Sequence, residues 1–152
     1  MGTAGLSTLD VYAATFGRGL SAHFVMYRVN ENSNTSDGPP CGICEVSALT
    51  PAGHLRIDTT VLPDTPIEVL RDANALAANF AFSMWRTRKV YFHTVDQDAA
   101  ALGFGDYPDL VRLEATLSDH RFVHGEIRDE HIFSVYRGVW DELGTDLIKQ
   151  IV

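Results

Sequence analysis

Thr65-Pro66-Ile67-Glu68 opens, and Arg86, Arg88 and Lys89 close, the stretch whose reading decides the fold. Between them the 13 residues Ala73-Asn74-Ala75-Leu76-Ala77-Ala78-Asn79-Phe80-Ala81-Phe82-Ser83-Met84-Trp85 carry no charge. Thr65 reads as an N-cap and Pro66 as the first helical residue, where no N–H is needed. Glu68 reads as the reciprocal member of a capping box. The three cations fall where the carbonyl end of a helix dipole favours positive charge. So few charges over so many turns predict a central, nearly buried helix.

Working outward, Val90 to Val95 is an apolar run rich in strand formers. Upstream, Cys41 to Leu49 and His54 to Leu62 read as a hairpin around Thr50-Pro51-Ala52-Gly53, with Pro and Gly placed as a type I turn prefers. Leu55, Ile57, Thr59 and Val61 alternate with Arg56, Asp58 and Thr60, so one face of the sheet meets the core and the other is wet. Ala22 to Val29 predicts a further strand. Ser7 reads as the cap of an N-terminal helix carrying Leu9, Ala13, Phe16 and Leu20, and Asn30 to Pro40 as a solvated loop.

Asp96 to Asp109 is a long connection in which Ala99 to Leu102 can form a short helical turn. Leu110 to Leu117 alternates again, Ser118-Asp119-His120 reads as a turn, and Arg121 to Arg128 as the returning strand. From about Asp129, the spacing of Ile132, Tyr136, Val139, Trp140, Leu143 and Leu147 predicts a C-terminal helix, with Gly144 breaking it and Thr145 capping a last turn. The architecture expected is a single α+β domain over residues 1–152. One mostly antiparallel sheet of about five or six strands packs on the central helix, with helices at both ends. The layout is similar to that of small binding domains of the type III secretion chaperone and roadblock-like groups.

The formal net charge of −8 disfavours broad contact with nucleic-acid phosphate or an anionic membrane, since both need clustered Lys and Arg. No uncharged run reaches the ~18 residues of a membrane span, and the start of the chain does not read as a signal peptide. A cytoplasmic location is expected.

Cys41-Gly42-Ile43-Cys44 is the one formal motif. Preceded by Pro39-Pro40 and running into a strand, it reads as a pair of small core residues, with half a zinc site or a redox pair as alternatives. A zinc site would need histidines. His120 and His124 fall at a turn and in a strand, too far apart to share an ion, and His131 is expected at a helix start on the surface. His93, in an otherwise apolar strand, is the candidate catalytic base. No nucleotide-binding motif is present, so no cofactor is expected.

With no assembled catalytic motif, the leading expectation is a non-enzymatic protein-binding domain: an adaptor, chaperone, inhibitor or assembly factor. It would be a homodimer whose further protein partner carries a basic patch, with Phe104, Tyr107 and Trp140 as the anchoring aromatics. The alternatives are a small-molecule enzyme on a hot-dog-like scaffold, using Asp72, Asn74, Asn79 or His93, and a viral or particle structural subunit.

Overall fold

The computed structural model describes residues 19–29 and 38–152. The expected N-terminal helix and most of the Asn30 to Pro40 loop lie outside the described residues. The chain runs β1 (Leu20–Tyr27), β2 (Pro40–Ser47), β3 (His54–Val61), α1 (Ile67–Met84), β4 (Lys89–Thr94), a 3₁₀ turn (Ala99–Leu102), β5 (Arg112–Val123) and β6 (Glu126–Tyr136). It closes with α2 (Arg137–Val139), a π-helical turn (Trp140–Gly144) and α3 (Thr145–Ile151).

The six strands form one sheet in the order β1-β2-β3-β4-β6-β5. The pairings β1/β2, β2/β3, β4/β6 and β5/β6 are antiparallel, whereas β3 and β4 run parallel. A parallel pair cannot be joined by a tight turn, and α1 is the crossover that joins this one. Val46, Leu55, Ile57, Val90, Phe92, Phe133 and Val135 make one buried cluster with Ala75, Ala78, Ala81 and Phe82 of α1. The four alanine and phenylalanine positions form the stripe that lets the helix lie close on the sheet.

Two expectations about helix ends are corrected. The N-cap of α1 is Pro66, with extended ψ of 143° and no capping side-chain hydrogen bond, so the Thr65/Glu68 capping box does not form. At the other end Arg86, Arg88 and Lys89 lie beyond the last turn, and Lys89 already belongs to β4. The cation that satisfies the carbonyl end is Arg137, from the far end of the chain. It donates to the carbonyls of Phe82 (2.6 Å), Trp85 (3.1 Å) and Thr87 (2.7 Å), with its guanidinium 5.1 Å from the Phe82 ring centre. Helix end, β4 entry and β6 exit are thereby tied together.

The C-terminal helix expected from Asp129 is also corrected: β6 runs to Tyr136, and helix begins only at Arg137. The β5/β6 reversal falls at His124 (φ 51°) and Gly125 (φ 87°), two consecutive left-handed residues as a tight hairpin needs. Ser118-Asp119-His120, expected as the turn, is an irregularity inside the ladder, where pairing jumps from Leu117↔Glu130 to Arg121↔Arg128. Gly144 does not break the helix and Thr145 does not cap a new turn: both are right-handed helical, and Gly144 is where the π-helical turn passes into α3. The Trp140 indole lies so close that a Cβ there would displace it.

On the sheet face away from α1, Lys89 Nζ lies 3.0 Å from Glu114, which also accepts from Ser134 Oγ (3.0 Å) and from the Tyr136 hydroxyl. Burial alone would raise the Glu114 carboxyl, but the donors Tyr136, Lys89 and Ser134 outweigh it and bring it down to about 2. A carboxyl so depressed stabilises the fold fully above its unfolded value and loses that contribution as pH falls toward 2. Glu114→Gln should lower stability at pH 7 by on the order of 1–2 kcal/mol and flatten the decline in melting temperature between about pH 4.5 and 2. Thermal melts across that range test both effects.

Arg137→Ala should cost more, on the order of 3 kcal/mol, because it strips the partner from two carbonyls at the helix end and a third in the link to β4. Chemical denaturation measures the loss. An unchanged midpoint would show those carbonyls to be satisfied otherwise.

Candidate active site between the splayed strands

Pairing of β3 with β4 covers four positions, His54↔Lys89 to Ile57↔Phe92, and then stops. Beyond it β3 continues through Asp58, Thr59, Thr60 and Val61, and β4 through His93 and Thr94, without pairing to each other. On its other side β3 stays paired with β2 as far as Val61. The sheet is therefore split from one end, and the edges that face the split carry backbone N–H and C=O groups free to bind an extended ligand. In sheets with parallel strands the carboxyl end of such strands, where neighbours diverge, is the expected ligand crevice.

Strand alternation decides which side chains stand at the split. Phe92 pairs with Phe133 and faces the core, so His93, paired with Ile132, faces the opposite side together with Glu130 two residues along β6. Arg56 and Asp58 reach the same face from β3, joined by an ion pair of 2.6 Å. His93 Nδ1 lies 3.4 Å from Glu130 Oε1 and makes no hydrogen bond with the described residues. The irregular turn in β5 brings Arg121 to 3.2 Å and His120 to 3.5 Å from the same carboxylate, whose side chain is only 7% exposed.

Burial pushes the His93 imidazole below its ordinary value, and the Arg56 charge pushes the same way. Glu130 and Asp58 offset part of the shift. The ring is therefore neutral at pH 7. With Glu130 beside Nδ1, the favoured tautomer carries its proton there and leaves Nε2 as the acceptor. A neutral imidazole flanked by a buried carboxylate where two strands part is equipped to take a proton from an attacking nucleophile.

The other residues singled out in the sequence lie elsewhere. Phe104 is fully buried against Phe92 with ring centres 5.6 Å apart, and Trp140 is buried with its Nε1 donating to Asn79 Oδ1 (3.3 Å). Tyr107 packs on the core's edge and donates from its hydroxyl to Gln150. Asn74 donates to the Leu102 carbonyl and Asp72 pairs with Arg71, so Asp72, Asn74 and Asn79 belong to α1 and its packing and not to the His93 cluster. His131, expected on the surface at a helix start, is buried in β6 beside Thr116.

Cys41 and Cys44 are buried free thiols on β2. Three apart on a strand, their side chains leave opposite faces. Among the described residues no group of three His, Cys, Asp or Glu side chains is placed to hold a metal ion. Burial pushes the Cys44 thiol up. Neither cysteine should react with a thiol reagent in the native protein, and both should react once it is unfolded. Rapid labelling of Cys44 at neutral pH would contradict that placement.

No protein-family model matches the chain. No curated protein matches it in sequence either. Solved structures do match in fold. Spermidine N-acetyltransferase from Vibrio cholerae, in complex with CoA and spermine, superimposes with a TM-score of 0.67 at 13% identity over 86% of this chain and 74% of the other. The Vibrio cholerae spermidine/spermine N-acetyltransferase SpeG in complex with manganese ions gives 0.65 at 14% identity over 90% and 75%. A chimera of the Vibrio cholerae enzyme with hSSAT gives 0.64 at 14% identity over 85% and 74%. The fold is mixed α+β with one six-stranded sheet and few helices, a GNAT-like fold.

These matches correct the expectation of a non-enzymatic protein-binding domain, and with it the adaptor or chaperone role and the protein partner. The solved structures that share this fold are spermidine N-acetyltransferases, and two of the three aromatics expected as anchors are core residues. The chaperone-like and roadblock-like layouts and the hot-dog-like scaffold give way to a sheet split at a parallel pair. Among the described residues no helix is long and apolar enough to cross a membrane.

Proposed function

We propose that this chain is a small-molecule enzyme, an N-acyltransferase that moves an acyl group from a thioester to an amine, with His93 as its general base. The observation that supports this most directly is the neutral, carboxylate-flanked His93 standing where β3 and β4 part in a GNAT-like sheet.

The extended thioester lies along the split, bonding to the free backbone edge of Asp58 to Val61. N–H groups of that edge receive the negative charge that develops on the acyl oxygen. The amine enters from the wet face, drawn by Asp58 and Glu130. Its nitrogen forms a bond to the acyl carbon while His93 Nε2 accepts its proton. The carbon–sulfur bond then breaks, and the proton held by His93 passes to the departing thiolate. Glu130 acts as a positioning residue beside Nδ1 that favours one tautomer, with Arg121 3.2 Å and His120 3.5 Å from its carboxylate.

A panel of primary amines and polyamines with acetyl thioesters, assayed by mass of the acetylated product, tests the activity. His93→Ala should lower kcat/KM by roughly 10²–10⁴-fold with the circular dichroism unchanged. The acid limb of the wild-type pH profile should have its midpoint below the usual histidine value. In Glu130→Gln, which loses the charge that raises the His93 pKa, that midpoint should move to still lower pH. No acetyl transfer to any amine, or a His93→Ala enzyme as fast as wild type, would remove the proposal.

A further inference from the structure

Coenzyme A, the thioester carrier bound by one matching structure, ends in a nucleotide diphosphate. A diphosphate needs either backbone N–H groups gathered at a helix start or clustered cations. At the open end of the split the helix start is that of α1, and it is poorly furnished. Pro66 has no N–H, the Thr65 N–H is bonded to Leu62 O (3.2 Å), and the Val69 N–H to Pro66 O (3.0 Å). Helix geometry leaves Ile67 and Glu68 as the first-turn donors, and Glu68 brings its own negative charge. Asp64, before the cap, holds a left-handed φ of 65° in place of a glycine.

Charge is also distributed against an anion. Asp64, Glu68 and Asp72 follow β3, and Asp96 and Asp98 follow β4, with Asp129 on β6 opposite. Asp96, Asp129 and Arg128 line a cavity of about 380 Å³ on the β6 side of β4. The cations at this end are fewer than the carboxylates: Arg71 is held 2.7 Å from Asp72, Arg121 lies 3.2 Å from Glu130 and opposite Arg128, and Arg28 follows β1. Arg86, Arg88, Lys89, Arg112 and Arg137 all gather at the opposite end, where β4 begins and β6 ends.

Building on the acyl-transfer reading, we infer that the split takes a thioester carrier without a nucleotide diphosphate, a pantetheine-like thioester, and that its acidic mouth discriminates against coenzyme A. The part of the carrier bearing amides and sulfur meets the free strand edges, whereas a diphosphate would meet Asp64 and Glu68.

Ligand-observed NMR titrations of the full chain with pantetheine and with coenzyme A test this. Pantetheine should bind at least as tightly as coenzyme A, and coenzyme A should bind more weakly as salt is lowered, the sign of repulsion. In the variant Asp64→Gly/Pro66→Gly/Glu68→Gln, coenzyme A should gain at least tenfold while pantetheine stays within about twofold. Glu68→Gln alone should give a smaller gain in the same direction, which keeps the test open if the triple variant fails to fold. Coenzyme A binding wild type tenfold tighter than pantetheine, or showing no gain in the variants, would overturn the inference and leave the acyl-transfer reading standing. Binding of neither compound would remove that reading and the inference with it.

Discussion

The four-residue parallel contact between His54–Ile57 and Lys89–Phe92 is the constraint on which the rest depends. It is the seam between a β1-β2-β3 meander and a β4-β6-β5 unit, each held internally by much longer antiparallel pairing. A seam that short cannot hold two half-sheets in register by its own hydrogen bonds. The register comes from α1, which spans the seam on one face, and from Arg137, which locks the helix's carbonyl end to the strand leaving the sheet. With the near end fixed in this way, the far end is free to stay apart. The cleft is thus a consequence of where the packing is concentrated.

Keeping the cleft open has a cost that the core does not repay. β3 presents backbone groups to it over Asp58 to Val61, and His93 Nδ1 is buried without a hydrogen bond from the described residues. Closing the split by extending the ladder would satisfy more backbone, yet the side chains that flank it, Asp58 and His93, are polar and partly exposed instead of apolar. A buried ring nitrogen without a partner beside unpaired strand edges is a common mark of a site that a ligand completes.

Much of the fold was legible because strand alternation and turn chemistry are local. Leu55, Ile57 and their polar neighbours fixed the face of β3, and Ala99–Leu102 formed the turn expected of it. The errors arose where two periods coincide. Ile132, Tyr136, Val139 and Trp140 sit at helical spacing, but Ile132, Ser134 and Tyr136 also share one strand face. Pairing of β6 with both β4 and β5 settles the matter in favour of strand. Ser118-Asp119-His120 has the composition of a turn, yet the reversal falls at His124-Gly125, where two consecutive residues take left-handed φ. The capping box failed for a related reason: Pro66 suits a first helical position, but here it takes an extended ψ at the cap itself.

The site was less legible, since its members are far apart in sequence and meet only through register. His93 could be noticed as a polar residue in an apolar strand. Nothing near it announced Glu130, which reaches it because Ile132 pairs with His93, nor Arg121, which reaches Glu130 because the ladder skips residues 118 to 120. The same geometry explains why a binding domain looked the better reading. Phe104 and Trp140 resemble exposed anchors when glycines and charges surround them in sequence, yet Gly103, with φ of 87° against the Arg71 backbone, and Gly144, under the Trp140 indole, are the small residues that let those rings turn inward. What the rings close off on the α1 face is core, and the polar chemistry is left to the opposite face, where the sheet is split.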